Sequence, residues 1–166
     1  KAIRRQRQMC IRDSSKGMKM KLAIAVALSH HAKLLILDEP TSGLDPFMRD
    51  EILDILYEFT RAEDQSVLIS SHIVSDLERL CDYIAYIDQG SLKLYEEKDR
   101  LIEQYGILKC SKEELKEFDE QAVKGVRKNS YGVEALVDKL KMPKDYKTDM
   151  ATLEEIIVFL SKGQEE

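Results

Sequence analysis

Three groups of polar residues in this 166-residue chain have types and spacing suited to chemistry. Asp38 and Glu39 are adjacent carboxylates that end the apolar run Leu34-Leu35-Ile36-Leu37. Pro40 and the turn Thr41-Ser42-Gly43-Leu44 follow, closing on a third carboxylate, Asp45. A strand that ends in paired carboxylates delivers them to the carboxyl edge of a sheet, where α/β proteins place ligands. Phosphoryl transfer needs one carboxylate to hold Mg²⁺ and another polar group to orient the attacking water. The plainer alternative is that Asp38 and Glu39 cap a helix after a core strand. Upstream, Ser15-Lys16-Gly17 opens a helical segment, where backbone N–H groups and the helix dipole face an anion; alone, it reads as a cap. Downstream, His72 follows the apolar run Val67-Leu68-Ile69 and two serines. Alone, it reads as a structural histidine. A Ser71-His72-Asp76 hydrolase triad is disfavoured, because adjacent side chains diverge and no nucleophile-elbow glycines flank Ser71. His30 and His31 point about 100° apart on a helix and read as surface or boundary residues.

These groups need elements to position them. Residues Lys16 to His31 are rich in Ala, Leu and Met and predict a helix with a wide buried face, capped by Ser14 or Ser15. Leu34–Leu37 is too short for a helix and predicts a buried strand. Asp45-Pro46, a cap followed by Pro, starts an amphipathic helix over 47–62 carrying Ile52, Leu53, Ile55, Leu56 and Phe59. Val67–His72 predicts a second buried strand and Ile73–Leu80 a helix. Tyr83–Ile87 and Leu92–Tyr95 flank the turn Asp88-Gln89-Gly90-Ser91, a hairpin pattern. This alternation implies an α/β unit with a parallel sheet. Beyond about Lys98 the chain becomes charge-rich. A short helix near Lys112–Phe118, a strand over Ala122–Arg127, a helix near Val133–Leu140, a turn at 142–145 and an amphipathic helix over Thr152–Leu160 are expected there.

Length implies about one domain. The 43% apolar and 34% charged content suffices for a packed core. No apolar run approaches the roughly 18 residues of a membrane span. Cys10, Cys81 and Cys110 are odd in number and far apart, which argues against a disulfide framework or a zinc site. The net charge of −5 conceals an asymmetry: residues 1–33 carry +8, residues 34–90 carry −10 and residues 91–166 carry −3. The basic start suits an anionic partner, but several of its charges fall at helical spacing opposite apolar residues, as on a solvated face.

The string Leu34–Asp45 resembles the Walker B and D-loop segment of ATP-binding cassette (ABC) ATPases. The stretch from Ser14 to Leu28 aligns without gaps to that family's signature loop and following helix. Ser15 and Gly17 match the family's Ser and second Gly, while Lys16 replaces the first Gly and Met18 replaces Gln. Met18 with Lys at 16, 19 and 21 is similar to a signature variant of bacterial ATPases that serve export-type permeases for peptides, antibiotics and lantibiotic immunity. The resemblance implies that Asp38 acts on Mg²⁺, directly or through water, and that Glu39 orients or deprotonates the attacking water. It implies that Ser42, Gly43 and Asp45 form the D-loop at a dimer contact, and that His72 is the switch histidine on the γ-phosphate. Ser15, Lys16, Gly17 and Met18 would grip ATP bound by the opposite subunit.

The expected fold is therefore α/β, a partial P-loop NTPase (ABC ATPase) fold with a parallel sheet core plus a small α+β carboxyl-terminal extension. Residues 14–97 would form the carboxyl-terminal half of the ATPase domain and 98–166 the extension. The implied cofactors are ATP and Mg²⁺. The implied partners are a second ABC ATPase subunit and a separate integral membrane permease, without nucleic acid, at the cytoplasmic inner face of the membrane. A soluble ABC-family ATPase acting on ribosomes or nucleic acid, and a non-catalytic fragment, are the alternatives. No Gly-x-x-x-x-Gly-Lys-Ser/Thr loop occurs in the sequence. The chain is thus expected to be part of a longer polypeptide and not to hydrolyse ATP alone. Residues 1–13 show no helical apolar face, and Met9–Asp13 resembles a translated sequencing adapter. They are expected to be non-native or disordered, with a natural basic arm as the other reading.

Overall fold

The computed structural model describes residues 15–129, 132–143 and 145–162. The expectations for residues 1–13, for Ser14 as a cap, for Cys10 and for Lys144 within a turn lie outside these residues. The chain divides at Leu80/Cys81 into two compact units.

The first unit begins with helix α1 (Lys16–Leu28), capped by Ser15, whose Oγ accepts the Met18 N–H at 3.2 Å. The helix stops three residues before the expected His31, in a turn where His31 has φ +51°. Its buried face is also narrower than expected. Gly17 and Ile24 are buried, with Met20, Ala27 and Leu28 beside them, whereas Met18, Leu22 and Val26 are exposed. The spacing explains this: apolar residues two apart lie about 200° apart on a helix and line opposite faces.

Strand β1 (Leu34–Asp38) pairs in parallel with β2 (Ser66–Ser70), from Leu34 opposite Ser66 to Asp38 opposite Ser70. Helix α2 (Pro46–Thr60) links them. Asp45 Oδ1 accepts the Met48 N–H at 3.0 Å, and Pro46 occupies the first turn, where its missing N–H costs nothing. Ile24, Leu35, Ile52, Leu56 and Phe59 form the core, with Leu37, Val67 and Ile69 packed against it. The two strands were expected to be buried, and they are buried on one face only. Ile36 is 71% and Leu68 60% exposed on the other face. An unbroken apolar run marks a strand suited to cover on both faces, and here α1 and α2 cover one. Helix α3 (Val74–Leu80) closes the unit.

The second unit starts with the antiparallel hairpin β3 (Tyr83–Asp88) and β4 (Ser91–Glu97), turning at Gln89-Gly90 with φ +47° and +75°. Helix α4 (Lys98–Gln104) leads into β5 (Tyr105–Cys110), then α5 (Lys112–Leu115), β6 (Val123–Asn129) and β7 (Gly132–Asp138). A 3₁₀ turn (Lys139–Lys141), β8 (Asp149–Met150) and α6 (Leu153–Lys162) complete it. The sheet order is β6-β7-β5-β8, all antiparallel. Residues Val133–Leu140, expected as a helix, instead form β7 and the 3₁₀ turn. Glu134, Ala135 and Leu136 favour helix locally, but two neighbouring strands supply a full hydrogen-bond ladder that overrides propensity. Leu153, Ile156 and Phe159 on α6 are buried. Gly125 of β6 lies against the Phe159 carbonyl, where a Cβ would sit 2.5 Å from the oxygen. Among the described residues, no helix is long and apolar enough to cross a membrane.

Candidate functional site

The parallel register of β1 and β2 sets Asp38 beside Ser70, so both strands end at one edge. The Ser70 hydroxyl donates to Asp38 Oδ1 there. Glu39 follows with φ +46°, a left-handed conformation that costs a non-glycine residue about 1–2 kcal/mol. Its backbone N–H donates to Ser70 O at 3.0 Å and Ser70 Oγ at 3.2 Å. Its side chain turns to the loop after β2: Oε1 accepts the His72 N–H at 3.0 Å, and Oε2 lies 2.7 Å from His72 Nδ1. The backbone strain and the His72 contact belong to one arrangement, in which the carboxylate is aimed along the sheet edge rather than into a helix cap.

The turn after Glu39 is tight. Ser42 N–H donates to Glu39 O at 3.2 Å, Leu44 N–H to Thr41 O at 3.3 Å, and Gly43 takes φ +67°. The Lys16 ammonium donates to Ser42 O, so the start of α1 reaches the same turn. The structure thus brings Asp38, Glu39 and His72 together, and joins Ser42 and Gly43 to Lys16. Asp45 serves as the cap of α2. Ser15 Oγ is engaged by Met18 N–H, and the Met18 side chain is exposed. Gly17 is buried: a Cβ there would sit 2.6 Å from Met48 Cε and 3.1 Å from its Cγ. That packing is a reason for glycine beyond any contact with phosphate. A Lys21–Glu51 ion pair also ties α1 to α2.

Sequence reasoning missed four residues. Ser70 bridges both carboxylate-bearing positions. Thr41, Arg49 and Asp76 form a cluster beneath the turn: Thr41 Oγ1 donates to Asp76 Oδ2 at 2.6 Å, and Arg49 Nε to Asp76 Oδ1 at 2.6 Å. Asp76 therefore serves Thr41 and Arg49, and Ser71 Oγ accepts the Ile73 N–H, so no Ser-His-Asp relay forms. The signal for this cluster was weak, since Thr41 and Asp76 stand 35 residues apart.

Among the described residues, no three His, Cys, Asp or Glu side chains gather into a metal cage. One edge carboxylate, Asp38, with a serine hydroxyl on it suits Mg²⁺ held mainly by phosphate oxygens and water rather than by an all-protein shell. A 13-residue helix beginning at Lys16, with no acidic residue in its first turn, suits an anion.

A family model described as "AAA domain, putative AbiEii toxin, Type IV TA system" matches residues 3–75. The lantibiotic transport ATP-binding protein SrtF of Streptococcus pyogenes is 45% identical over 89 residues, 54% of this chain and 38% of that protein. The bacitracin transport ATP-binding protein BcrA of Bacillus licheniformis is 45% identical over 78 residues, 47% of this chain and 26% of that protein. The chain thus spans well under half the length of the curated relatives it matches. Among solved structures, a metal-chelate-type ABC transporter in an inward-facing conformation aligns with TM-score 0.50 and 20% identity. It covers 77% of this chain and 49% of that one, a likeness in fold. In sequence the chain is similar to ATP-binding proteins of ABC transporters over about half of its length.

Proposed function

We propose that residues 14–97 supply the water-activating edge and the cross-subunit contacts of an ATP-hydrolysing ABC subunit, with 98–166 as an appended region. The observation that carries this reading is the Glu39–His72 pair at the carboxyl ends of two parallel strands. Asp38 would hold Mg²⁺ on ATP, where the ion would supply charge stabilisation of the phosphates. Glu39 orients the attacking water and takes its proton. Ser70 fixes both acids from one side, through its hydroxyl on Asp38 and its carbonyl on Glu39. His72 donates from Nδ1 to Glu39. In a neutral ring that leaves Nε2 an acceptor, so a γ-phosphate contact through Nε2 requires the imidazolium or a turned ring. Ser15, Lys16, Gly17 and Met18, with Ser42, Gly43 and Asp45, face ATP held by a second subunit. ATP-driven closure of the two subunits then works a separate membrane permease from the cytoplasmic face. The lantibiotic and bacitracin transport relatives favour a peptide-type export cargo.

The 166 residues hold no Gly-rich phosphate loop, and several charge-assisted bonds of roughly 1.5–3 kcal/mol each are needed to hold a triphosphate. This chain alone is therefore expected not to hydrolyse ATP. Mg-ATPase activity of the purified chain that Glu39→Gln abolishes would overturn that expectation. In a full-length subunit carrying the segment, Glu39→Gln keeps an oxygen for the His72 N–H but cannot take a proton. It should lower kcat by at least about 100-fold while ATP still binds, measured by phosphate release and isothermal titration.

A further inference from the structure

Glu39 stands at φ +46°, and an acid in a left-handed conformation keeps it only where its surroundings over-determine it. The bonds from Ser70 and His72 hold Glu39 from the β2 side. A second set of bonds starts two residues later. Thr41 is 1% exposed, and its hydroxyl donates to Asp76 Oδ2 at 2.6 Å. Asp76 is equally buried, and its Oδ1 takes the Arg49 Nε at 2.6 Å and the Arg49 Nη2 at 2.5 Å. Arg49 Nη2 also donates to Ser75 Oγ at 2.7 Å. One buried carboxylate thereby joins three pieces of backbone: the turn after Glu39, helix α2 through Arg49, and helix α3 through its own chain.

A carboxylate taken out of water is tolerated only when its charge is paired and its lone pairs are filled. Arg49 supplies the charge, which leaves the Thr41 hydroxyl a narrower task. A buried β-branched position next to a proline turn is filled equally well by Val, so the hydroxyl is there for the bond to Asp76. Asp76 lies four residues after His72, and Thr41 two residues after Glu39. The cluster therefore fixes both backbone segments that carry the Glu39–His72 pair, without touching either side chain.

We infer that Thr41, Arg49 and Asp76 are positioning residues that hold the turn after Glu39 against the loop carrying His72, and so keep the two side chains in register for water activation. The inference rests on the ATPase reading for its kinetic consequence, and on the geometry alone for the linkage.

The kinetic arm uses the full-length ATP-hydrolysing subunit. Thr41→Val keeps shape and removes the hydroxyl, whereas Thr41→Ser keeps the hydroxyl. Thr41→Val should lower kcat about 10- to 100-fold, as small misplacements of reacting groups do, with KM for MgATP within about 2-fold and Thr41→Ser close to wild type. Equal kcat in Thr41→Val and wild type, or a loss in Thr41→Ser as large as in Thr41→Val, overturns the inference. The second arm follows amide hydrogen exchange in the 166-residue chain. Thr41→Val should speed exchange about 10-fold in residues 39–44 and 71–73 together, and leave Ile52–Leu56 within about 2-fold. Uniform acceleration across the chain means general destabilisation and overturns the linkage. An inactive wild-type subunit removes the ATPase reading, and the exchange arm still decides the linkage.

Discussion

Glu39 and Gln89 share nearly the same left-handed backbone, φ +46° and +47°, yet for different reasons. Glu39 is held there by Ser70 and His72, and its side chain gains a defined direction. Gln89 sits in the β3–β4 turn beside Gly90, where a two-residue connection with both central residues at positive φ matches the twist of the strands. Asn is the residue that such a turn favours at the first position. Gln89→Asn should therefore raise unfolding stability by about 0.5–1 kcal/mol, read as an increased denaturant midpoint at unchanged slope. Cys81 gives a second residue-scale test. Burial pushes its thiol above the ordinary range, Lys98 draws it down and Asp82 raises it again. Thiolate is the attacking species, so alkylation of Cys81 at pH 8 should be slower in the folded chain than in urea, and its pH profile should be displaced upward. The sign for stability follows: a raised folded pKa stabilises below the unfolded value, and that contribution is lost as pH rises through the folded one.

At the scale of elements, the contact between α1 and α2 decides how the signature-like loop meets the turn after Glu39. Gly17 lets α1 lie on Met48, the Lys21–Glu51 pair sits farther along the helices, and Lys16 reaches Ser42. Gly17→Ala gains helix propensity but pushes a methyl to 3.1–3.2 Å from Met48 Cγ and Cβ and closer to Cε. Overpacking of this kind costs about 1–3 kcal/mol, so the substitution should lower stability, and Met48→Ala in the same chain should return most of the loss. Chemical denaturation of the two single variants and the double variant checks this coupling. The same elements show which features were legible in the sequence. Strand β1, helix α2 and strand β2 were readable because their signals are local: an apolar run, Asp45-Pro46 as a start, a second apolar run. A serine cap at 14 or 15 was readable for the same reason, and the structure assigns it to Ser15. Strand β7 was not, because Glu134, Ala135 and Leu136 favour helix and only pairing with β5 and β6 makes them a strand. The Thr41–Asp76 bond was not legible either, since no local pattern marks a hydroxyl and a carboxylate that meet from different elements.

For the molecule as a whole, the open face of the β1–β2 sheet sets its behaviour in solution. Leu34, Ile36 and Leu68 lie on that face, Ile36 directly beside Leu68 in the parallel register, and all three are exposed. Parallel strands are found covered on both faces, and an exposed apolar sheet face is a surface for association. The purified chain should therefore self-associate and bind hydrophobic dyes at micromolar concentration. Ile36→Thr with Leu68→Thr keeps β-branching at one position and restores it at the other, so the strands should persist while the face becomes polar. Sedimentation and dye fluorescence should both fall toward monomer values in the double variant, with little change in unfolding stability, because these side chains bury little surface to begin with. If added sheet strands or helices cover that face, the same two substitutions place hydroxyls in a core and should lower stability by several kcal/mol. The sign of the effect thus separates an open sheet face from a covered one. Dye binding of the isolated chain that survives both substitutions would show that its exposed apolar surface lies elsewhere.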